Sequence, residues 1–237
     1  MISFSMSMKA NNLGCINSMA KMIVKSIASK ITDEWLLTKH YAKRKCNRMF
    51  CYGLYIENKL CGIVTYGQPS SPQVGRGFLG EDYRTRVLEL NRLCVNETAP
   101  KNSASCLIGR SLKMMPKGAV VSYADGMMGH VGYIYQATNF IYVGSAKSHD
   151  NEYCVDGKWT HAKRLANKGI TAPSKWAKEN NIEIRKPQAK HRYIYFTDKK
   201  LKKHLKYTAL PYPKGVTNRY NCVDIVSQSP KQSDLFL

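Results

Sequence analysis

Apolar and polar positions along this chain recur with two different periods. From Cys15 to Lys30 the residues Ile16, Met19, Ile23 and Ile27 return every three or four places, which predicts a helix. A shorter helix is predicted from Asp33 to Lys43. The period then changes to two: Phe50–Ile56 and Leu60–Tyr66 predict strands closed into a hairpin across Glu57, Asn58 and Lys59. Gly67 to Gly80, rich in Gly, Pro and Ser, reads as a long loop, and such loops in compact domains commonly carry function. Thr85 to Val95 reads as the next strand, in which Glu89, Asn91 and Arg92 interrupt an apolar frame; at period two Glu89 and Asn91 share one face. Ser103 to Met115 predicts a helix opening at Asn102 or Ser103. Val120, Val121 and Tyr123 have the character of a buried strand that ends at Asp125. A Gly/His turn, a short aromatic helix and a further strand follow, up to Gly144. Later in the chain, Arg192 to Thr197 reads as a strand, with Lys199, Lys200, Lys202, Lys203 and Lys206 in a short helical stretch after it.

Composition adds a partner to this outline. With 237 residues, 43 % hydrophobic, the chain can bury one sizeable core plus a small appended module. The expected division is residues 1–150 as the main domain and 151–237 as a basic extension packed on it. The net charge of +21 is the footprint of a protein that binds a polyanion, with double-stranded DNA the expected partner. Between Asn151 and Tyr220 there are 17 Lys and Arg against 5 Asp and Glu, so the surplus concentrates there. Lys199, Lys200 and Lys203, with Tyr193, Tyr195, Phe196 and Tyr207 nearby, suit phosphates beside stacked bases, and Arg76 in the glycine-rich segment is a further candidate DNA contact. A membrane partner is not expected, because no apolar run approaches the roughly 20 residues of a span. The N-terminal residues lack the pattern of a secretory signal, so a cytoplasmic location is expected. The eight cysteines are scattered without a Cys-x-x-Cys pair, which argues against a zinc ribbon or a disulfide framework.

The chemistry gathers around Asp125. A group just beyond the end of a buried strand stands where open α/β sheets place reacting residues. Gly126, Gly129 and Gly132 let backbone approach a ligand closely, while His130, Tyr133 and Tyr135 can carry protons and Gln136 and Asn139 can orient an amide or a nucleobase. The bland alternative is a strand–helix corner with its turn glycines and core tyrosines.

Four segments in order carry a resemblance: Lys39-His40-Tyr41-Ala42-Lys43-Arg44; Leu88-Glu89-Leu90-Asn91-Arg92-Leu93; the turn and helix from Asn102 to Lys113; and Tyr123-Ala124-Asp125 with Gly129, His130, Gly132, Tyr135, Gln136, Asn139 and Phe140. Together they resemble an α/β, GNAT-like mixed central sheet flanked by helices, and within that superfamily the Mom family of phage DNA adenine-modification proteins. The resemblance implies an enzyme that converts the exocyclic amine of adenine in phage DNA to a methylcarbamoyl derivative, shielding that DNA from restriction in the infected host cell. Carried over by position, it implies Asp125 and Tyr135 as catalytic residues with His40 and Tyr41 beside them. Glu89, Arg92, Lys101, Ser103 and Ser105 would then surround the small-molecule donor. An acetyl-CoA or related acyl donor and an iron ion are the cofactors it implies. The chain departs from ordinary acetyltransferases at the phosphate loop, where Pro100-Lys101-Asn102-Ser103-Ala104-Ser105 replaces the usual Gly-rich pattern.

Acylation of adenine sets physical requirements. The lone pair of an aromatic amine is delocalised into the ring, so a base must remove a proton as the new bond forms, and donors must face the charge that develops on the acyl oxygen. Asp125 is the candidate base and Tyr135 the candidate acid. In the alternative arrangement His40, Asp125 and His130 are ligands of a divalent metal, since imidazole and carboxylate suit iron. The amine must also leave the base stack, and Tyr41, Tyr66, Tyr83 and Tyr133 are candidates to replace the lost stacking. The competing readings are a GNAT-like N-acetyltransferase acting on a protein or small amine, and a DNA-binding module without catalysis.

Overall fold

A computed structural model describes residues 21–126, 129–146 and 151–215. Seven strands make one sheet: β1 (Met22–Ser26), β2 (Phe50–Ile56), β3 (Lys59–Gly67), β4 (Val87–Val95), β5 (Ala119–Asp125), β6 (Ile141–Ala146) and β10 (Lys190–Phe196). They lie in the order β1-β2-β3-β4-β5-β10-β6, and only β4 and β5 run parallel. The β2–β3 hairpin turns on Glu57 and Asn58, both at positive φ, the two-residue geometry that matches the twist of its strands.

Helix α3 (Ser103–Met114) covers one face. Its Leu107, Ile108 and Leu112 pack on Leu54, Val64, Tyr66, Leu88 and Val120, and Tyr135 and Phe140 extend this core towards Tyr193 of β10 and Tyr142 of β6. Helix α2 (Pro72–Leu79) covers the opposite face with Phe78 and Leu79 against Val87, Val121 and Ile194. On that second face Trp35 and Leu36, from the short helix α1 (Thr32–Glu34) and the π turn that continues it to Lys39, pack on Ile63.

Three expectations change. The predicted helix from Cys15 to Lys30 is instead β1 over Met22–Ser26, with residues 15–20 outside the described part; Ile23 and Val24 suit a strand, and β2 supplies the ladder partners. The segment 67–80 contains α2 where a long loop was expected. Ser71 Oγ accepts the Gln73 N–H at 3.2 Å and Pro72 occupies the first turn, so the Ser-Pro pair starts a helix. Glu89 and Asn91 do not simply alternate along β4, because Arg92 pairs with Thr65 and Leu90 with Tyr66, which leaves Asn91 as the extra residue of a β-bulge. Its amide holds the preceding loop, donating to Asn47 O at 2.6 Å and accepting from Thr65 Oγ1 at 2.6 Å.

Residues 152–185 form a second, three-stranded sheet of β7 (Glu152–Val155), β8 (Lys158–His161) and β9 (Ile184–Arg185), with α5 (Ala162–Ala166) and α6 (Pro173–Glu179). Tyr153, Leu165 and Ala177 give it a core of its own. β10, from the stretch assigned by sequence to the extension, returns to the central sheet between β5 and β6.

Helix α4 (Tyr133–Gln136) is fixed by Gly132, at φ +83, where an added Cβ would lie 2.5 Å from the Tyr193 ring. Gly132→Ala is expected to lower stability by about 2–4 kcal/mol through backbone strain and overpacking. Urea denaturation measures it, and an unchanged midpoint would show that the turn relaxes freely.

Candidate active site

β4 and β5 pair only over Val87–Glu89 and Ala119–Val121, although β4 continues to Val95 and β5 to Asp125. Beyond Glu89 the two strands part, and Ser122 Oγ spans the start of the gap by donating to Leu90 O at 3.0 Å. The polar residues of both strands and of the turns around them collect at this opening.

The π turn delivers the first group. Lys39 Nζ bonds Asn96 Oδ1 at 2.9 Å and stacks over Trp35, which ties the turn to the far end of β4. His40 follows, 6 % exposed, stacked on Tyr41 with ring centroids 4.4 Å apart. Its Nδ1 accepts the Ala42 N–H at 3.0 Å, so the neutral ring carries its proton on Nε2. Burial, helped by the charges of Arg92 and Arg44, pushes the His40 pKa down to about 4. His40 is therefore a neutral N–H donor near pH 7, not a base.

That displacement makes stability depend on pH. The folded value of about 4 lies below the ordinary histidine value of 6.5. The unfolded chain takes up the proton first as pH falls. The stability held by neutral His40 is full above pH 6.5 and lost progressively towards pH 4, by roughly 3 kcal/mol. His40→Gln should flatten this part of the curve. Equal losses between pH 7 and 4.5 in both proteins, measured by urea denaturation, would refute the assignment.

Tyr41 joins the two sides of the gap. Crowding raises its phenol, although 39 % of the residue stays exposed; the Asp125 charge raises it further, and Arg92 and Arg44 oppose. His130 packs edge-on to Tyr41 at 6.5 Å. Its pKa is lowered by burial, with Asp125 acting against that, and its backbone N–H donates to Asp125 O at 3.2 Å. The Asp125 carboxylate lies 3.6 Å from Lys190 Nζ. Glu89 is raised by burial, against a hydrogen bond from the Ser70 backbone and the charges of Arg92 and Lys190. Tyr135 is buried between Phe140 and Tyr193, with ring centroids at 5.4 and 5.3 Å. Burial pushes its phenol up to about 12, partly offset by the Ser122 hydroxyl. Arg92 donates through Nη1 to Asn91 O at 2.6 Å, while its Nε is buried without a hydrogen-bond partner among the described residues.

Other expected residues stand elsewhere or are engaged. Ser103 Oγ donates to Pro100 O at 2.7 Å and Ser105 Oγ to Asn102 O at 3.0 Å, so neither hydroxyl proton is offered to a phosphate. Lys101 is exposed beside them. Arg76, on α2, is held by Glu81 and by Gln73 Oε1 at 3.0 Å. Tyr66 is fully buried, with its hydroxyl 2.6 Å from Ser111 Oγ, and cannot stack on a base. Tyr83 packs against His204, and Tyr133 bonds the Gly215 backbone. The sequence assigned no role to Ser122, Arg44 or Lys190. Lys190 lies just before the strand read from sequence at Arg192–Thr197, and its link to Asp125 comes from the pairing of β10 with β5.

The metal expectation meets a specific obstacle. Among the described residues no three His, Cys, Asp or Glu side chains gather in a group able to hold an ion. Liganding through His40 Nε2 would move its proton to Nδ1 and break the bond from Ala42. His40, Asp125 and His130 as placed do not fit an iron site. An acyl-CoA-type donor fits better. Among the described residues, Arg92 Nε is a buried donor without a hydrogen-bond partner, and no backbone acceptor takes the Ala104 or Ser105 N–H in the first turn of α3.

A mixed central sheet flanked by helices, whose parallel strands β4 and β5 part around a polar cleft, defines an α/β protein. The chain belongs to the Mom protein family, which matches residues 21–214. It is 31 % identical over 206 residues to the Methylcarbamoylase mom of Escherichia phage Mu, covering 81 % of this chain and 83 % of that protein. Solved structures with a similar fold include Arabidopsis thaliana NAA60 in complex with a bisubstrate analogue, 13 % identical over 74 % of this chain and 98 % of that one, TM-score 0.46. A GNAT-family acetyltransferase from Bacillus cereus is also 13 % identical, over 74 % of this chain and 97 % of that one, TM-score 0.41. No described helix is long and apolar enough to cross a membrane.

Proposed function

We propose that this protein is a transferase that places a methylcarbamoyl group on the exocyclic amine of adenine in duplex DNA, and thereby protects phage DNA from restriction. The observation that carries the proposal is the 31 % identity with the phage Mu methylcarbamoylase over most of both chains. Support from the geometry lies in the match between the groups at the gap and the needs of amine acylation. Asp125, at the open end of β5, takes the proton released as the amine is acylated. Glu89, raised by burial, is a second candidate acceptor for a proton. His40 Nε2–H and Arg92 Nε–H supply two donors for the charge developing on the acyl oxygen, where one such donor is worth about 10²–10³ in rate. Tyr135, protonated through the neutral range, is the acid for the leaving group. Lys101 and the amides of Ala104 and Ser105 would hold the phosphates of a CoA-type donor, which supplies an activated acyl carbon. Nucleoside mass spectrometry of plasmid DNA from cells expressing the protein tests the reading. Methylcarbamoyl adenine is expected, and unmodified adenine throughout would end the proposal.

A further inference from the structure

We infer that residues 151–189 are a DNA-holding unit beside the active site, in which Lys158, Arg164 and Lys168 grip phosphates and Trp159 supports an unstacked base. This rests on the reading of DNA as substrate.

Placement is the first argument. Ala146 at the end of β6 and Lys190 at the start of β10 pair with each other, and Lys190 also pairs with Asp125. Ala146 and Lys190, the sheet residues that flank the inserted module, therefore both stand at the Asp125 end. The expected DNA grip at Lys199, Lys200 and Lys203 sits in a 3-10 helix after Phe196, which pairs with Ala119 at the other end of β5. At about 3.3 Å per residue, those ends are roughly 20 Å apart.

The second argument is the chemistry of one pocket, of about 210 Å³, against β8 and α5. Lys158, Arg164 and Lys168 line it, with Asp156 the one acid among its lining residues. None of the three cations has an ion-pair partner among the described residues. Like charges so gathered repel, and a polyanion relieves that repulsion. Trp159 forms part of the wall and is already fixed. The Arg185 guanidinium lies 4.0 Å from its ring centroid and is itself held by Glu152 at 2.8–2.9 Å. A ring so anchored loses little freedom when a base packs on it, and aromatic platforms beside cations are how proteins hold unstacked bases. The module's separate core makes it a built unit with a fixed surface.

The test is the salt dependence of binding to a labelled duplex, read by fluorescence anisotropy. Each phosphate contact contributes about 0.9 to the slope of log affinity against log salt. K158Q/R164Q/K168Q should make the slope shallower by about two to three, and Lys168→Gln alone by about one, which keeps a readout if the triple variant misfolds. Trp159→Ala should weaken binding roughly five-fold or more at an unchanged slope. K200Q/K203Q, the competing surface, should change the slope by less than either. An unchanged slope in folded K158Q/R164Q/K168Q overturns the inference, whatever the lysine pair does. Failure of the function reading looks different: wild-type protein would show the salt-dependent binding and leave no modified adenine.

Discussion

Asp125→Asn is expected to cut methylcarbamoyl adenine by about 10²–10⁴-fold, the usual contribution of a positioned base, with duplex binding and the folding midpoint close to wild type. Asparagine keeps the shape of the side chain at the end of β5 and can still meet Lys190, but it cannot accept the amine proton. Tyr135→Phe is expected to fall in the same range for a different reason. Its phenol, held near 12 by burial, is a donor that phenylalanine lacks, while the ring contacts with Phe140 and Tyr193 survive. Mass spectrometry of DNA nucleosides, beside a denaturation curve for each variant, separates lost chemistry from lost fold. Near wild-type modification in both would remove Asp125 and Tyr135 from the mechanism.

The parts of this site that could be read from sequence are those fixed by local pattern. The position of Asp125 was legible because Val120, Val121 and Tyr123 mark a strand and a glycine-rich turn follows it. The hairpin was visible because Glu57-Asn58 separates two alternating runs. What stayed hidden depends on partners distant in sequence. Ile23 and Ile27 satisfy the helical period as well as Ile23 and Val24 satisfy a strand, and only pairing with Tyr55 and Leu54 decides between them. The bulge at Asn91 turns Arg92 relative to Glu89, which no two-residue alternation reveals. β10 enters between β5 and β6 after an insertion of about forty residues, so Lys190 reaches Asp125 from a part of the chain that composition alone assigned to a basic extension packed on the main domain. The inserted module did carry a local mark. Asp156-Gly157, both at positive φ between Tyr153–Val155 and Lys158–Thr160, is a two-residue hairpin turn that places Trp159 in β8.

Arg92→Met is expected to reduce modification by about 10²–10³-fold while leaving the protein as stable as wild type or about 1 kcal/mol more stable. The reason is the Nε atom, buried without a hydrogen-bond partner among the described residues. An unsatisfied buried donor costs about 1–3 kcal/mol, and methionine fills similar space without that donor. A residue retained only for structure would lose stability together with activity, so opposite movements of the two mark a group kept for a ligand. The same variant has a second readout. Burial is the larger cause of the low His40 pKa and persists, but the Arg92 charge is the next one and disappears. The His40 pKa, followed by NMR titration of the imidazole, should therefore rise from about 4 without reaching its ordinary value. If Arg92→Met instead destabilised the fold in proportion to its loss of activity and left the His40 titration where it was, Arg92 would be a strut of the β4 bulge rather than a donor facing the acyl group.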